Sequence, residues 1–184
     1  CAALPNWQVT EVTHTFLLDK FDPALGVLTG VQIEYYLGGK FLIGGENRAD
    51  SVQNIRIQSK SDGALTLPNA SLATNTVGVD TGVLSLGAYD GVTDYAGPSG
   101  FFSPDWQFNL DSSSQAYTPL VAFMGAGQQA SLPFATLSSL LIQGGGGQTA
   151  GVQRTYAKAG VCVRYTYEAK DWGDAPDTGA GTGV

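Results

Sequence analysis

The chain is poor in the residues on which most protein chemistry depends. Its 184 residues include one histidine, one methionine and two cysteines, and only 14% are charged. A zinc-type centre drawing on several His and Cys ligands has almost no material here. A Ser-His-Asp relay would have to be built around His14, and a lone histidine between Thr13 and Thr15 reads as a surface or cross-strand residue. A thiol nucleophile at Cys162 would need a base and an electropositive setting, yet its main positive neighbour in sequence is Arg164. The carboxylates are scattered over turns with nothing to raise a pKa, so an enzyme is not expected. Positive charge is scarce as well. Nine Lys and Arg face sixteen Asp and Glu, a net charge of −7, which argues against nucleic acid and anionic membrane surfaces as partners. No apolar run approaches about 18 residues, so no membrane-inserted helix is expected. No basic-then-apolar leader opens the sequence, so any signal peptide is expected to have been removed.

What is abundant is period-two alternation punctuated by glycine. Leu25, Val27, Val31, Ile33, Tyr35 and Leu37 share one parity against Gln32 and Glu34, which reads as a strand with one wet face. Gly38-Gly39 reads as a turn, and Gly44-Gly45 as an interruption of the next strand. Further short strands are expected around Val52–Ile57 (with a bulge), Leu65–Leu67, Val77–Val79 and Val83–Leu86, divided by turns at Pro68-Asn69 and Asp80-Thr-Gly82. Trp106, Phe108 and Leu110 alternate as core residues, followed by a polar loop at Asp111–Ser114. Gln8–Leu18 and Val161–Tyr167 complete the set, with a single short turn around Thr118–Met124. Roughly nine to twelve short strands without a convincing helix predict an all-β, two-sheet antiparallel β-sandwich, jelly-roll-like or Greek-key. One domain spans 1–168, with 1–8 a candidate N-terminal arm. Residues 169–184 lose the alternation and read as a Gly/Asp/Thr-rich arm or linker.

Three groups of residues are candidates for sites. Cys1 and Cys162 are open to an intrachain bridge, an intersubunit bridge, free thiols, or lipidation of Cys1; an oxidising compartment favours a disulfide. Asp90 and Asp94 lie four apart in a Gly-bounded loop, and Asp171, Asp174 and Asp177 recur every three residues. Either set could offer oxygens to calcium, although Asp in turns also caps its own backbone; no other cofactor is expected. Trp7, Trp106 and Trp172 are candidates for a sugar platform, and Asn69-Ala-Ser71 is a glycosylation sequon.

Several blocks carry a family resemblance. Lys20-Phe-Asp-Pro-Ala-Leu-Gly-Val-Leu28, Tyr89-Asp-Gly-Val-Thr-Asp-Tyr95, Ala122-Phe-Met-Gly-Ala-Gly127 with Leu132-Pro133, and Val161-Cys-Val-Arg-Tyr-Thr-Tyr167 occur in order over about residues 7–168. Together they resemble the choice-of-anchor E domain, a β-rich module of secreted and surface-attached bacterial proteins. The Gly-rich stretch from Leu140 to Gly151 and the thiol of Cys162 depart from that pattern. Asp171-Trp-Gly-Asp-Ala-Pro-Asp177 is similar to the opening of the Gly-Glu-Val-Glu-Asp-type repeat modules of large surface proteins. The resemblance implies an extracellular or cell-surface location and transfers no catalytic residue.

A Gly/Thr-rich tail finds backbone partners only by lying on its own domain or on a neighbour, and an arm added to an open sheet edge does this between copies. The expectation is therefore a non-enzymatic extracellular structural protein, the subunit of a homopolymeric filament or surface assembly. Trp172, Pro176 and Val184 belong to its C-terminal arm, and Cys1–Gln8 is the other candidate arm. The competing expectation is a cell-surface adhesin or carbohydrate-binding module, recognising a glycan or surface ligand without self-assembly.

Overall fold

Alternating apolar residues can bury only one face of a sheet, so a chain built from them must place two sheets face to face. A computed structural model, which describes residues 1–170, shows this arrangement. Its strands are β1 (Ala2–Ala3), β2 (Gln8–Val9), β3 (Thr13–Asp19), β4 (Gly26–Asn47), β5 (Gln53–Thr66), β6 (Leu72–Leu86), β7 (Gly100–Phe102), β8 (Gln107–Ala116), β9 (Gln129–Gly144) and β10 (Thr149–Ala169). The front sheet has the order β1-β10-β4-β7, with β2 also on β10 and β8 also on β4; the back sheet is β3-β9-β5-β6. All of these ladders are antiparallel. When β1 and β2 count as one interrupted strand and β7 and β8 as another, the two sheet orders are those of a jelly roll. The expected turn near Thr118–Met124 is a single 3-10 turn, Leu120–Phe123.

Side chains from both sheets fill the space between them. Phe16, Ile33, Tyr35, Leu37, Phe41, Leu65, Phe123, Leu132 and Phe134 form the main core. A smaller cluster of Ile43, Ile55, Ile57 and Leu86 closes one end.

The strands are fewer in break and longer than the glycines suggest. Gly38-Gly39 and Gly44-Gly45 lie inside β4, whose ladder with β10 runs through both pairs. Here glycine answers to close packing and not to a turn. A Cβ on Gly38 would lie 3.2 Å from the Trp7 ring, and one on Gly39 would lie 2.6 Å from a methyl of Val77. The expected single parity of Leu25–Leu37 also fails. The β4–β10 register slips between Thr166 and Tyr167, leaving Thr29 as the extra residue. One added residue exchanges the faces, so Leu28 is buried while Leu25 and Val27 are exposed. Asp80-Thr-Gly82 is likewise a bulge within β6, where Thr81 Oγ1 accepts from Ile57 N at 3.0 Å. Asp111–Ser114 is strand, paired with Glu34–Leu37. Gln8–Leu18 is not one strand: β2 belongs to the front sheet and β3 to the back.

Candidate functional site

The N-terminal segment lies along its own domain. Cys1 is bonded to Cys162 within the chain, with Cα atoms 4.1 Å apart. The intersubunit, free-thiol and lipidated readings of the cysteines therefore give way to an intrachain bridge, and Cys162 has no thiol to act as a nucleophile. Beside the bridge, β1 pairs with Gly160 and Val161, Leu4 N donates to Ala159 O at 2.9 Å, and β2 pairs with Tyr156 and Ala157. The outer edge of β10 is thus covered from Thr155 to Val161. Among the described residues no strand pairs with that edge from Cys162 to Ala169.

The most unusual surface is the outer face of the front sheet. Register places Asn109, Asp111 and Ser113 of β8 opposite Gly39, Leu37 and Tyr35, the inward residues of β4. The polar side of β8 therefore faces inward, where Asp111 Oδ2 accepts from Thr76 N at 3.1 Å and joins the two sheets along that margin. Its apolar side faces out. Phe108 is 65% exposed and Leu110 73%, which reverses the expectation that they are core. Trp106 is not core either. Its ring meets Tyr156 at 5.3 Å, with Lys40 Nζ 4.3 Å from its centroid. Trp7 stands edge-on to Phe108 at 6.1 Å. Together with Tyr36, Gly38, Lys158 and Gly160, the Trp7 and Leu110 side chains line a shallow cleft of about 210 Å³.

A second depression of about 480 Å³ lies beside it, lined by Thr10, Glu11, Ser138, Gln153, Arg154 and Tyr156. His14 is exposed on β3, with its ring 4.8 Å from that of Phe16. The sequon residue Asn69 is exposed too, but its amide donates to Thr118 O at 3.1 Å and its Oδ1 accepts from Ser71 N.

The Asp90–Asp94 loop folds over one end of β4. Asp90 Oδ1 accepts from Val92 N and Asp94 Oδ1 from Ala96 N, each at 3.0 Å, so both carboxylates cap their own turns. Among the described residues no three His, Cys, Asp or Glu side chains stand together as ready metal ligands. Asp171, Asp174 and Asp177, and the arm residues Trp172, Pro176 and Val184, lie outside the described residues. What sequence reasoning missed is Glu46, fully buried beneath this loop. An acidic residue at the end of the apolar run Phe41-Leu-Ile-Gly-Gly, just before the chain turns polar, was the available signal.

No family model matches the chain, and comparison with curated proteins and with solved structures likewise returned no match.

Proposed function

We propose that the chain is a non-enzymatic extracellular structural subunit, assembled with copies of itself into a filament or surface layer through the outer face of the front sheet and a terminal arm. The observation that carries this reading is the inverted strand β8. An edge strand that turns Asp111 and Ser113 inward and Phe108 and Leu110 outward gives up core burial, and a covering partner restores it. Fully burying a Phe or Leu side chain is worth about 1.5–3 kcal/mol. The open edge of Cys162–Ala169 lies on the same sheet and leads into residues 171–184. An arm contacting a different patch on the next copy makes a head-to-tail contact, which builds a fibre when its rotation does not close. The internal disulfide fits an oxidising compartment, and the resemblance to the choice-of-anchor E domain points the same way.

Electron microscopy and sedimentation of the purified chain test the reading. The intact chain is expected to form fibres or sheets. Phe108→Ser with Leu110→Ser is expected to leave circular dichroism and melting unchanged while abolishing assembly, and truncation after Lys170 to weaken it. Monodisperse particles of the intact chain at high concentration would overturn the proposal.

A second reading, a glycan-binding surface module, is favoured by Trp106 and Tyr156 standing beside the polar depression of Glu11, Gln153 and Arg154. Retention of the monomer on immobilised polysaccharide, lost in Trp106→Ala with Tyr156→Ala, would decide for it.

A further inference from the structure

The outer face of the front sheet differs in charge from the molecule as a whole. From Arg154 to Gly160 on β10, and at the paired positions of β4 and β8, no outward residue is a carboxylate. The same stretch carries Lys40, Arg154 and Lys158, three of the nine basic side chains in a chain of net charge −7. Among the described residues none of the three forms an ion pair, whereas Arg164, farther along β10, is held by Glu34 at 3.0 Å. Glu11 borders Arg154 at the other end. Within this cationic stretch lies the apolar cleft of about 210 Å³ between Trp7 and Leu110, with Lys158 in its lining. The Tyr36 hydroxyl on its wall already donates to Glu34 Oε2 at 3.2 Å, so the cleft suits an apolar ring better than a sugar rich in hydroxyls.

The complementary chemistry stands in the chain's own sequence. Residues 171–184 hold three aspartates, no basic side chain and one aromatic, Trp172, with Asp171 beside it and Asp174 two residues on. An indole between carboxylates matches an apolar cleft between cations. Aromatic anchors seated in pockets carry much of the energy of an interface, and opposite charges steer and orient the encounter. Reach decides whose cleft it is. Gly160, in the cleft, lies nine residues before Ala169, the end of β10, a span of about 30 Å along a strand. Three peptide units can carry the Trp172 Cα no more than about 11 Å from that of Ala169. The remaining distance of about 20 Å exceeds the length of an indole side chain, so Trp172 cannot enter the cleft of its own molecule.

We infer that Trp172 of one copy docks in the Trp7–Leu110 cleft of the next, with Asp171 and Asp174 set against Lys158 and Lys40. The inference rests on the subunit reading above and names its contact: the arm is the ligand, and the cationic cleft of the next copy is its receptor. Because donor and receptor are different patches, every copy can give one arm and accept another.

The test uses the full chain, dilute enough to remain monomeric, and a fluorescent synthetic peptide of residues 169–184. The peptide should bind the chain and, added to an assembling sample, slow fibre growth. Its Trp172→Ala form should bind at least tenfold more weakly. Its Asp171→Asn, Asp174→Asn, Asp177→Asn form should also bind less tightly, and should lose the weakening that about 0.5 M salt imposes on the parent peptide. Lys40→Glu with Lys158→Glu in the chain should reduce binding of the native peptide and restore binding of a peptide carrying Asp171→Lys with Asp174→Lys. Chains bearing Leu110→Cys, mixed with chains bearing Trp172→Cys, should form a disulfide-linked dimer, while a dilute chain bearing both should not close on itself. The inference is overturned if the native peptide fails to bind, or if it binds undiminished after Trp172→Ala. Retention of the chain on an anionic polysaccharide that the peptide does not displace overturns it as well. Fibres that form undiminished from Trp172→Ala chains sink this contact and leave the subunit reading standing, whereas an intact chain that stays monodisperse at high concentration sinks the subunit reading itself.

Discussion

Replacing both cysteines with serine (Cys1→Ser, Cys162→Ser) removes a bond that closes a loop across a sequence separation of 161 residues. In the chain-entropy treatment, a closure of that length restricts the unfolded chain by about 5 kcal/mol at 25 °C, near the upper end of what disulfides supply. In a protein of this size each kcal/mol moves Tm by roughly 2–4 °C, so the double variant should melt roughly 10–20 °C lower. A local effect should accompany the global one. β1 is only two residues long, and without the bridge it is held chiefly by its short ladder and by the burial of Leu4. The Leu4 amide, which donates to Ala159 O, should then exchange faster than amides of the β4–β10 ladder. Scanning calorimetry without reductant, comparing the intact and double-serine chains, measures the first effect; hydrogen exchange followed by NMR measures the second. A Tm difference below about 4 °C, the smallest that a 2 kcal/mol loss would give, refutes the claim that the bridge restrains the whole unfolded chain.

Tyr35→Phe should be neutral to stabilising by up to about 1 kcal/mol in urea denaturation, because Tyr35 Oη is buried without a partner and removing it leaves nothing unpaired. Gly63→Ala should destabilise by about 1–3 kcal/mol, since the added methyl would run into that same hydroxyl and lie 2.9 Å from a Leu37 methyl in the packed core. On the alkaline side, burial, with the Asp19 carboxylate adding, pushes the Tyr165 phenol from 10.0 up to about 12. Its contribution is present below pH 10.0 and lost as pH rises towards about 12, so Tyr165→Phe should flatten Tm across that interval. On the acid side, hydrogen bonds from Arg56 hold Asp80 well below the usual carboxylate range, and hydrogen bonds from Lys60 and Thr76 lower Asp62. Their contributions are present above the ordinary value of 3.8 and fade as pH falls below it, and Asp80→Asn should reduce the acid slope of Tm.

The sheet architecture was legible because period two is a local property, and Ile33, Tyr35 and Leu37 keep it. Strand ends were not legible from glycine. Gly38 and Gly39 look like a turn until the Trp7 ring on one side and Val77 on the other are known to press against them, and those contacts come from distant parts of the chain. The Thr29 bulge is similarly silent, because nothing in Leu28-Thr-Gly30 announces which residue is left unpaired. β8 misled for the opposite reason. Its alternation is real, but alternation does not say which face is inside, and at the sheet margin Asp111 is drawn inward by the amide of Thr76. The pairing of Cys1 with Cys162 was among the readings that spacing left open, whereas the sequence marks Glu46 only as an acid closing an apolar run, and its burial depends on the distant 88–100 loop that covers it.

The bridge from Cys1 to Cys162 also fixes how the molecule carries mechanical load. Tension applied between Cys1 and Ala169 cannot pass through the sandwich, because the covalent link short-circuits residues 2–161. Only the last eight residues of β10, 162–169, carry the load, and because a paired strand already spans about 3.3 Å per residue they lengthen by only about 2 Å before the pull meets the sulfur bond. The jelly roll itself stays unloaded behind a short, nearly inextensible strap.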